Sequence, residues 1–173
     1  MKVFGVAGWS GSGKTTLVVK LIPELMSRGL TVSTVKHAHH GFEVDRPGKD
    51  SFEHRQAGAT EVMVTSAGRW ALMHELRGAP EPSLDQLIGR LNPVDLLLVE
   101  GFKRESHDKL EVHRAGLGKP LLAPQDPRIV AIAADGPLAD LDLPQLALDD
   151  VAGIANFIVA RCGLAPSALV DRI

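Results

Sequence analysis

A single cysteine, Cys162, stands in the 173 residues, so no internal disulfide framework exists and a reducing compartment is expected. Charge of one sign is equally scarce. Nineteen Lys and Arg against 21 Asp and Glu leave a net charge of −2, which gives no electrostatic basis for binding nucleic acid or an anionic membrane. No apolar run approaches a membrane span, and the start, Met1-Lys2-Val3-Phe4-Gly5, is too short in apolar length for a signal peptide. A cytoplasmic protein is expected. Also missing are a Ser/His/Asp arrangement, a CxxC pair, a dinucleotide fingerprint, an internal repeat and any low-complexity stretch. With 45% hydrophobic and 23% charged residues, the chain reads as one globular domain over residues 1–163, followed by a loose tail over 164–173.

What is present begins at residue 8. Gly8-Trp9-Ser10-Gly11-Ser12-Gly13-Lys14-Thr15 fits the phosphate-loop pattern G-x-x-x-x-G-K-[ST]. An apolar run, Val3 to Ala7, precedes it as a buried strand, and Thr15 to Ile22 follows as a helix start. Glycines let the backbone N–H groups of such a loop wrap a phosphate, and the helix N-terminus adds partial positive charge. Gly8, Ser10, Gly11, Ser12, Gly13, Lys14, Thr15 and Thr16 are therefore the expected nucleotide-binding residues. Lys14 would reach the β- and γ-phosphates, and the Thr15 hydroxyl would sit on Mg²⁺. Trp9 occupies the position where the deviant class of phosphate-loop ATPases carries an extra lysine, which excludes that class.

Strand and helix signals alternate along the chain, which predicts an α/β fold: a mostly parallel sheet flanked by helices, with an additional antiparallel strand pair. The first helix spans about Lys14 to Arg28, with Pro23 inside it as a source of irregularity and Gly29 as its stop. Strands are expected over Thr31–His37, Val94–Val99, Leu110–His113 and Arg128–Ala134. Thr60–Thr65 and Trp70–His74 flank Ala67-Gly68 and read as the antiparallel pair. A short helix follows Asp50, and Ser83 with Gln86 forms a capping box for another that runs to about Leu91. The last helix runs from Asp149 to about Arg161.

Mg²⁺ at a phosphate loop needs a carboxylate from a neighbouring strand end. Glu100 closes the strand Val94–Val99 at its carboxyl end, where ligands of open parallel sheets bind, and is preferred over Asp95 near the strand's start. After the second strand comes a loop dense in functional side chains, Lys36 to Ser51. Here Asp45 offers a second metal-side carboxylate, and Lys36, Arg46 and Lys49 offer charge for phosphate. His37, His39 and His40 have two readings, as Zn²⁺ or Ni²⁺ ligands and as polar contacts to a substrate or partner. Lys103 and Arg104 follow Glu100 closely, either as anion contacts or as a solvated face. Asn92-Pro93-Val94-Asp95 lacks the lysine of the guanine-reading N-K-x-D and precedes a strand, so it is set aside. Asp135, after the last expected strand, stands where a base-reading carboxylate belongs, and reads equally as an Asp-Gly turn.

Taken in order, the phosphate loop, Lys36-His37-Ala38-His39-His40, Asp45-Arg46-Pro47-Gly48-Lys49-Asp50-Ser51, His54 to Ala59 and Leu98 to Lys103 resemble the MobB family, the molybdopterin-guanine dinucleotide biosynthesis adaptors. The likeness covers Val3 to about Arg114, and residues 115–127 depart from it. It implies a GTP-binding protein of phosphate-loop NTPase fold that assists guanylyl transfer to molybdopterin, with weak GTP hydrolysis. It implies as partners a homodimer mate, a separate MobA-like guanylyltransferase and molybdopterin itself. Lys14, Thr15, Glu100 and Asp45 match the family pattern, and the strands around Val62 to His74 are expected at the dimer interface. A metal-delivery GTPase using the histidines and a small-molecule kinase are the competing readings.

Overall fold

In the computed structural model, residues 1–38, 41–102, 105–138 and 141–165 are described. They form two compact units. One comprises Met1–His37 with the chain from Asn92 onward, the other Ala38–Leu91.

The first unit is built on a six-stranded sheet of order β2-β5-β1-β6-β7-β8. Its strands are β1 (Lys2–Ala7), β2 (Val32–Lys36), β5 (Leu96–Glu100), β6 (Lys109–His113), β7 (Ile129–Ala134) and β8 (Gln145–Ala147). Every pairing in it is parallel. Alternation along the strands sorts side chains to two faces. Phe4 and Val6 of β1, Leu96 and Leu98 of β5, Leu110 and Val112 of β6, and Ala131 and Ala133 of β7 enter one core. Two helices close that core: α1 (Lys14–Met26) with Leu17, Leu21 and Leu25, and α4 (Val151–Arg161) with Ile154 and Ile158. The α1 helix runs without interruption through Pro23 to Met26, with Ser27 as its C-cap, and Gly29 follows with φ 79°. Asp150 caps α4 through its side chain, bonded to the Gly153 N–H at 2.9 Å.

The opposite face carries Ile129, Ile132 and Ala134, covered by Leu121, Leu122 and Ala123 from the 115–127 segment. That segment holds two 3-10 turns, Ala115–Leu117 and Ala123–Gln125. Beneath it β6 buries Lys109 and Glu111 completely. Lys109 Nζ donates to the Glu105 carbonyl at 2.6 Å and pairs with Asp126 at 3.1 Å. The Glu111 carboxylate accepts from the Leu122 and Ala123 N–H groups, both at 2.8 Å. Buried charges of this kind persist only when paired or fully hydrogen-bonded.

The second unit contains α2 (Asp50–Gln56), the antiparallel pair β3 (Glu61–Thr65) and β4 (Trp70–His74), and α3 (Leu84–Ile88). The capping box at Ser83 and Gln86 forms in both directions, at 2.9 and 3.3 Å. Met63, Val64, Trp70 and Leu72 of the strand pair stand exposed. Among the described residues no helix is long and apolar enough to cross a membrane. The expected tail falls, from residue 166 on, outside the described residues.

Candidate functional site

The chain turns sharply out of β1 at Gly8, whose φ of 144° lies outside the range of side-chain-bearing residues. A Cβ there would also stand 2.6 Å from the Val112 carbonyl oxygen and 2.7 Å from Ser12 Oγ. The loop closes on itself through Ser12 N–H to the Trp9 carbonyl at 3.1 Å, then enters α1 through Gly13 in the left-handed region. Among the described residues no side chain caps α1, so its leading N–H groups keep their capacity for an anion. Ser12 Oγ is buried without a hydrogen-bond partner among the described residues.

Lys14 Nζ donates to the carbonyls of Gly8 and Trp9, at 3.0 and 2.9 Å, and so lies along the loop. Thr15 Oγ1 meets both carboxylate oxygens of Glu100, at 2.9 and 3.1 Å. Sheet register brings this about: Glu100 pairs with Val6 on one side and with Lys36 on the other. Lys36 Nζ stands 3.5 Å from Glu100 Oε1 and 3.4 Å from Thr15 Oγ1. Gly101, φ 94°, then carries the chain past His37, whose Cβ would be 2.9 Å from any Cβ at that position. His37 packs on the Phe102 ring with centroids 4.9 Å apart.

Asp135 follows β7 and lines a cavity of about 510 Å³, together with Lys20, Arg114, Pro137, Leu148 and Asp149. Its Oδ1 accepts from the Ala115 N–H at 3.0 Å, and its Oδ2 stands 3.7 Å from Arg114 Nη1. Asp95, at the start of β5, accepts from Thr31 N–H and Oγ1, both at 2.7 Å, and so joins the beginnings of two strands.

The remaining loop residues divide. Asp45 is bound by Arg55 at 2.8 Å inside the second unit, and Arg55 also reaches Glu75 at 3.4 Å. Arg46 and Lys49 are exposed, Lys49 at the start of α2. His39, His40, Lys103 and Arg104 lie outside the described residues. Among the described residues no group of three His, Cys, Asp or Glu is placed to hold a metal ion.

Two features of the site carried no signal strong enough to be read from sequence. Trp9 Nε1 donates to the Pro120 carbonyl at 2.7 Å, with Lys119 Nζ 5.8 Å from the indole ring. Arg114 Nε donates to the Ser12 carbonyl at 3.0 Å. Arg114 stands directly after β6, the strand beside the phosphate-loop strand, a position that no motif marks in the sequence.

The family model described as Molybdopterin guanine dinucleotide synthesis protein B, MobB, matches residues 3–135. The chain belongs to the MobB family. The match runs past the motifs of the N-terminal two thirds and takes in Arg114 and Asp135. The molybdopterin-guanine dinucleotide biosynthesis adapter protein of Escherichia coli (strain K12) is 47% identical over 156 residues, 88% of this chain and 89% of that protein. The adapter protein of the same description from Haemophilus influenzae is 44% identical over 160 residues, 90% of this chain and 86% of the relative. A crystal structure of molybdopterin-guanine biosynthesis protein B superposes with a TM-score of 0.73 at 28% identity, covering 92% of this chain and 99% of the other. The MobB-family fold, a mostly parallel sheet with an added antiparallel pair, is the one expected from the strand and helix signals.

Proposed function

We propose that this MobB-family chain binds GTP with Mg²⁺ and, in that state, serves a separate guanylyltransferase as its adapter in molybdopterin-guanine dinucleotide synthesis. The adapter role comes with the family; the nucleotide chemistry is inferred from the site. The observation that carries it is the meeting of Thr15 Oγ1, Glu100 and Lys36 at the mouth of the phosphate loop. A hydroxyl and a carboxylate suit Mg²⁺, which takes few protein oxygens and completes its shell with water and phosphate. Thr15 and Glu100 would hold the ion, which neutralises charge on the β- and γ-phosphates when bound. Lys14 and the N–H groups from Gly11 to Thr16 would take the phosphate oxygens. Lys36, beside Glu100, and His37 would face the γ-phosphate side or the partner, while Asp45, paired with Arg55 at 2.8 Å, shapes its own loop.

For the base we propose Asp135 and the cavity beside it. A carboxylate accepts from guanine N1–H and the 2-amino group, and adenine offers no such pair of donors. A site built to accept those bonds rejects a base that lacks them, since its acceptor stays unpaired. Turnover is proposed to be slow, with the bound state as the active one. A homodimer is proposed through the strand pair, supported by the exposure of Met63, Val64, Trp70 and Leu72.

Calorimetric titration with GTP, ATP and XTP in Mg²⁺, with phosphate release followed in parallel, tests the nucleotide reading. GTP should bind in preference to ATP with little release of phosphate, and Lys14→Ala should abolish binding. Asp135→Asn should shift the preference from GTP to XTP, because an amide donates to the xanthine 2-oxygen where the carboxylate could not. Preference for ATP, or rapid turnover with small acceptors, would favour a kinase and sink the adapter reading of the site.

A further inference from the structure

We infer that Arg114 is a positioning residue that couples recognition of the base to the geometry of the phosphate loop. The inference rests on the GTP reading above and adds a residue that the sequence pattern did not single out. Arg114 directly follows β6, and its guanidinium spans the distance between the two halves of the proposed site. At one end Nε donates to the Ser12 carbonyl at 3.0 Å. At the other Nη1 stands 3.7 Å from Asp135 Oδ2, while the next residue's N–H, from Ala115, donates to Asp135 Oδ1 at 3.0 Å.

The Ser12 contact has a consequence for phosphate binding. In a planar trans peptide the C=O and the following N–H point in opposite directions. Holding the Ser12 carbonyl therefore fixes the direction of the Gly13 N–H, one of the donors of the phosphate nest. The guanidinium also lies against Gly13 itself, where a Cβ would be 3.4 Å from both Nε and Nη2. At the base end, the Arg114-Ala115 pair addresses each Asp135 oxygen once, which orients the carboxylate and leaves each oxygen with acceptor capacity for a base donor. The Arg114 side chain is 43% exposed, so its ion pair alone is weak and its effect lies in orientation. One side chain thereby sets both the phosphate donor and the base acceptor, and it lines the same cavity as Asp135.

The experiment compares GTP, ITP and inorganic tripolyphosphate, each with Mg²⁺, on the full chain and on Arg114→Ala and Arg114→Lys. ITP lacks only the 2-amino group, so the GTP/ITP affinity ratio reports how well Asp135 is aimed. The unaltered chain should favour GTP. Both variants should narrow the ratio by about threefold or more, the scale of coupling within one polar network. Both should also weaken GTP by a larger factor than tripolyphosphate. The lysine should fail to restore the ratio, because a single ammonium cannot serve the Ser12 carbonyl and Asp135 together. Arg114→Lys also keeps the test decisive should Arg114→Ala fold poorly. Equal losses for GTP, ITP and tripolyphosphate, or recovery by lysine, would mean that Arg114 acts only as charge beside the phosphates and would overturn the inference. An unchanged ratio in both variants overturns it as well. Equal affinity of the unaltered chain for GTP and ITP overturns the base reading, and the inference with it.

Discussion

His107 shows what a single side chain costs this fold as conditions change. Its Nε2 is buried without a partner among the described residues, in a site so close that a Cβ on Gly5 would come within 2.6 Å of it. Burial, with the Lys109 ammonium adding to it, pushes the imidazole below its ordinary 6.5. The folded chain therefore keeps His107 neutral at a pH where the unfolded chain takes up a proton. Stability should be unaffected by this group above about pH 7.5 and should fall as pH drops through 6.5 toward the folded value. Urea midpoints measured at pH 7.5 and pH 5.5 should separate in the unaltered chain. In His107→Gln the separation should shrink; an equal separation would assign the acid sensitivity to other groups.

At the scale of elements, the 115–127 segment earns its place through β6. Glu111 is fully buried and accepts two N–H groups at the start of the Ala123–Gln125 turn. Truncation by Glu111→Ala would strand both donors, at about 3 kcal/mol for two charge-assisted bonds. A thermal melt should register this as a loss of about 6–12 °C for a chain of this size. Glu111→Gln, which keeps one acceptor oxygen, should lose less than half as much. Equal losses in the two variants would mean that packing, rather than these bonds, holds the segment.

Most elements of this fold were legible because their signals are local. Val3 to Ala7, the phosphate loop and the Ser83/Gln86 box each carry their own chemistry within a few residues. So does the hairpin around Ala67-Gly68, found as Glu61–Thr65 paired with Trp70–His74. The strand β8 was not legible. Gln145-Leu146-Ala147 has no period of its own and becomes a strand only by pairing with Ile132 to Ala134. The burial of Lys109 and Glu111 was hidden for a similar reason. In sequence they look like the solvent side of an alternating strand, and their partners come from a segment returning 11, 12 and 17 residues later. In the candidate site, the approach of Thr15 to Glu100 across 85 positions followed from one rule about strand ends. Arg114 followed from none, since its role depends on where two loops come to lie.

The molecule as a whole offers a test of the Thr15–Glu100 centre that does not depend on turnover. A ligand that binds only the folded chain stabilises it by an amount set by its concentration over Kd, about 2.7 kcal/mol at a hundredfold excess. GTP with Mg²⁺ should therefore raise the melting temperature by about 5–10 °C. GTP with a chelator should raise it less. In Glu100→Gln the two conditions should become equal, with the Mg²⁺-dependent part lost. A variant that kept the full difference would remove Glu100 from the metal site.

The contact between Trp9 and Pro120 has an optical consequence. The chain contains two tryptophans and no tyrosine. Indole emission thus arises from two places, Trp9 inside the phosphate loop and Trp70 on the hairpin. Replacing Trp70 with phenylalanine would leave a chain whose indole emission comes from the phosphate loop alone. Its colour and intensity would then follow the indole's bond to Pro120 and the nearby ammonium of Lys119. The molecule would carry its own dye at the place where nucleotide is proposed to arrive, with no label attached.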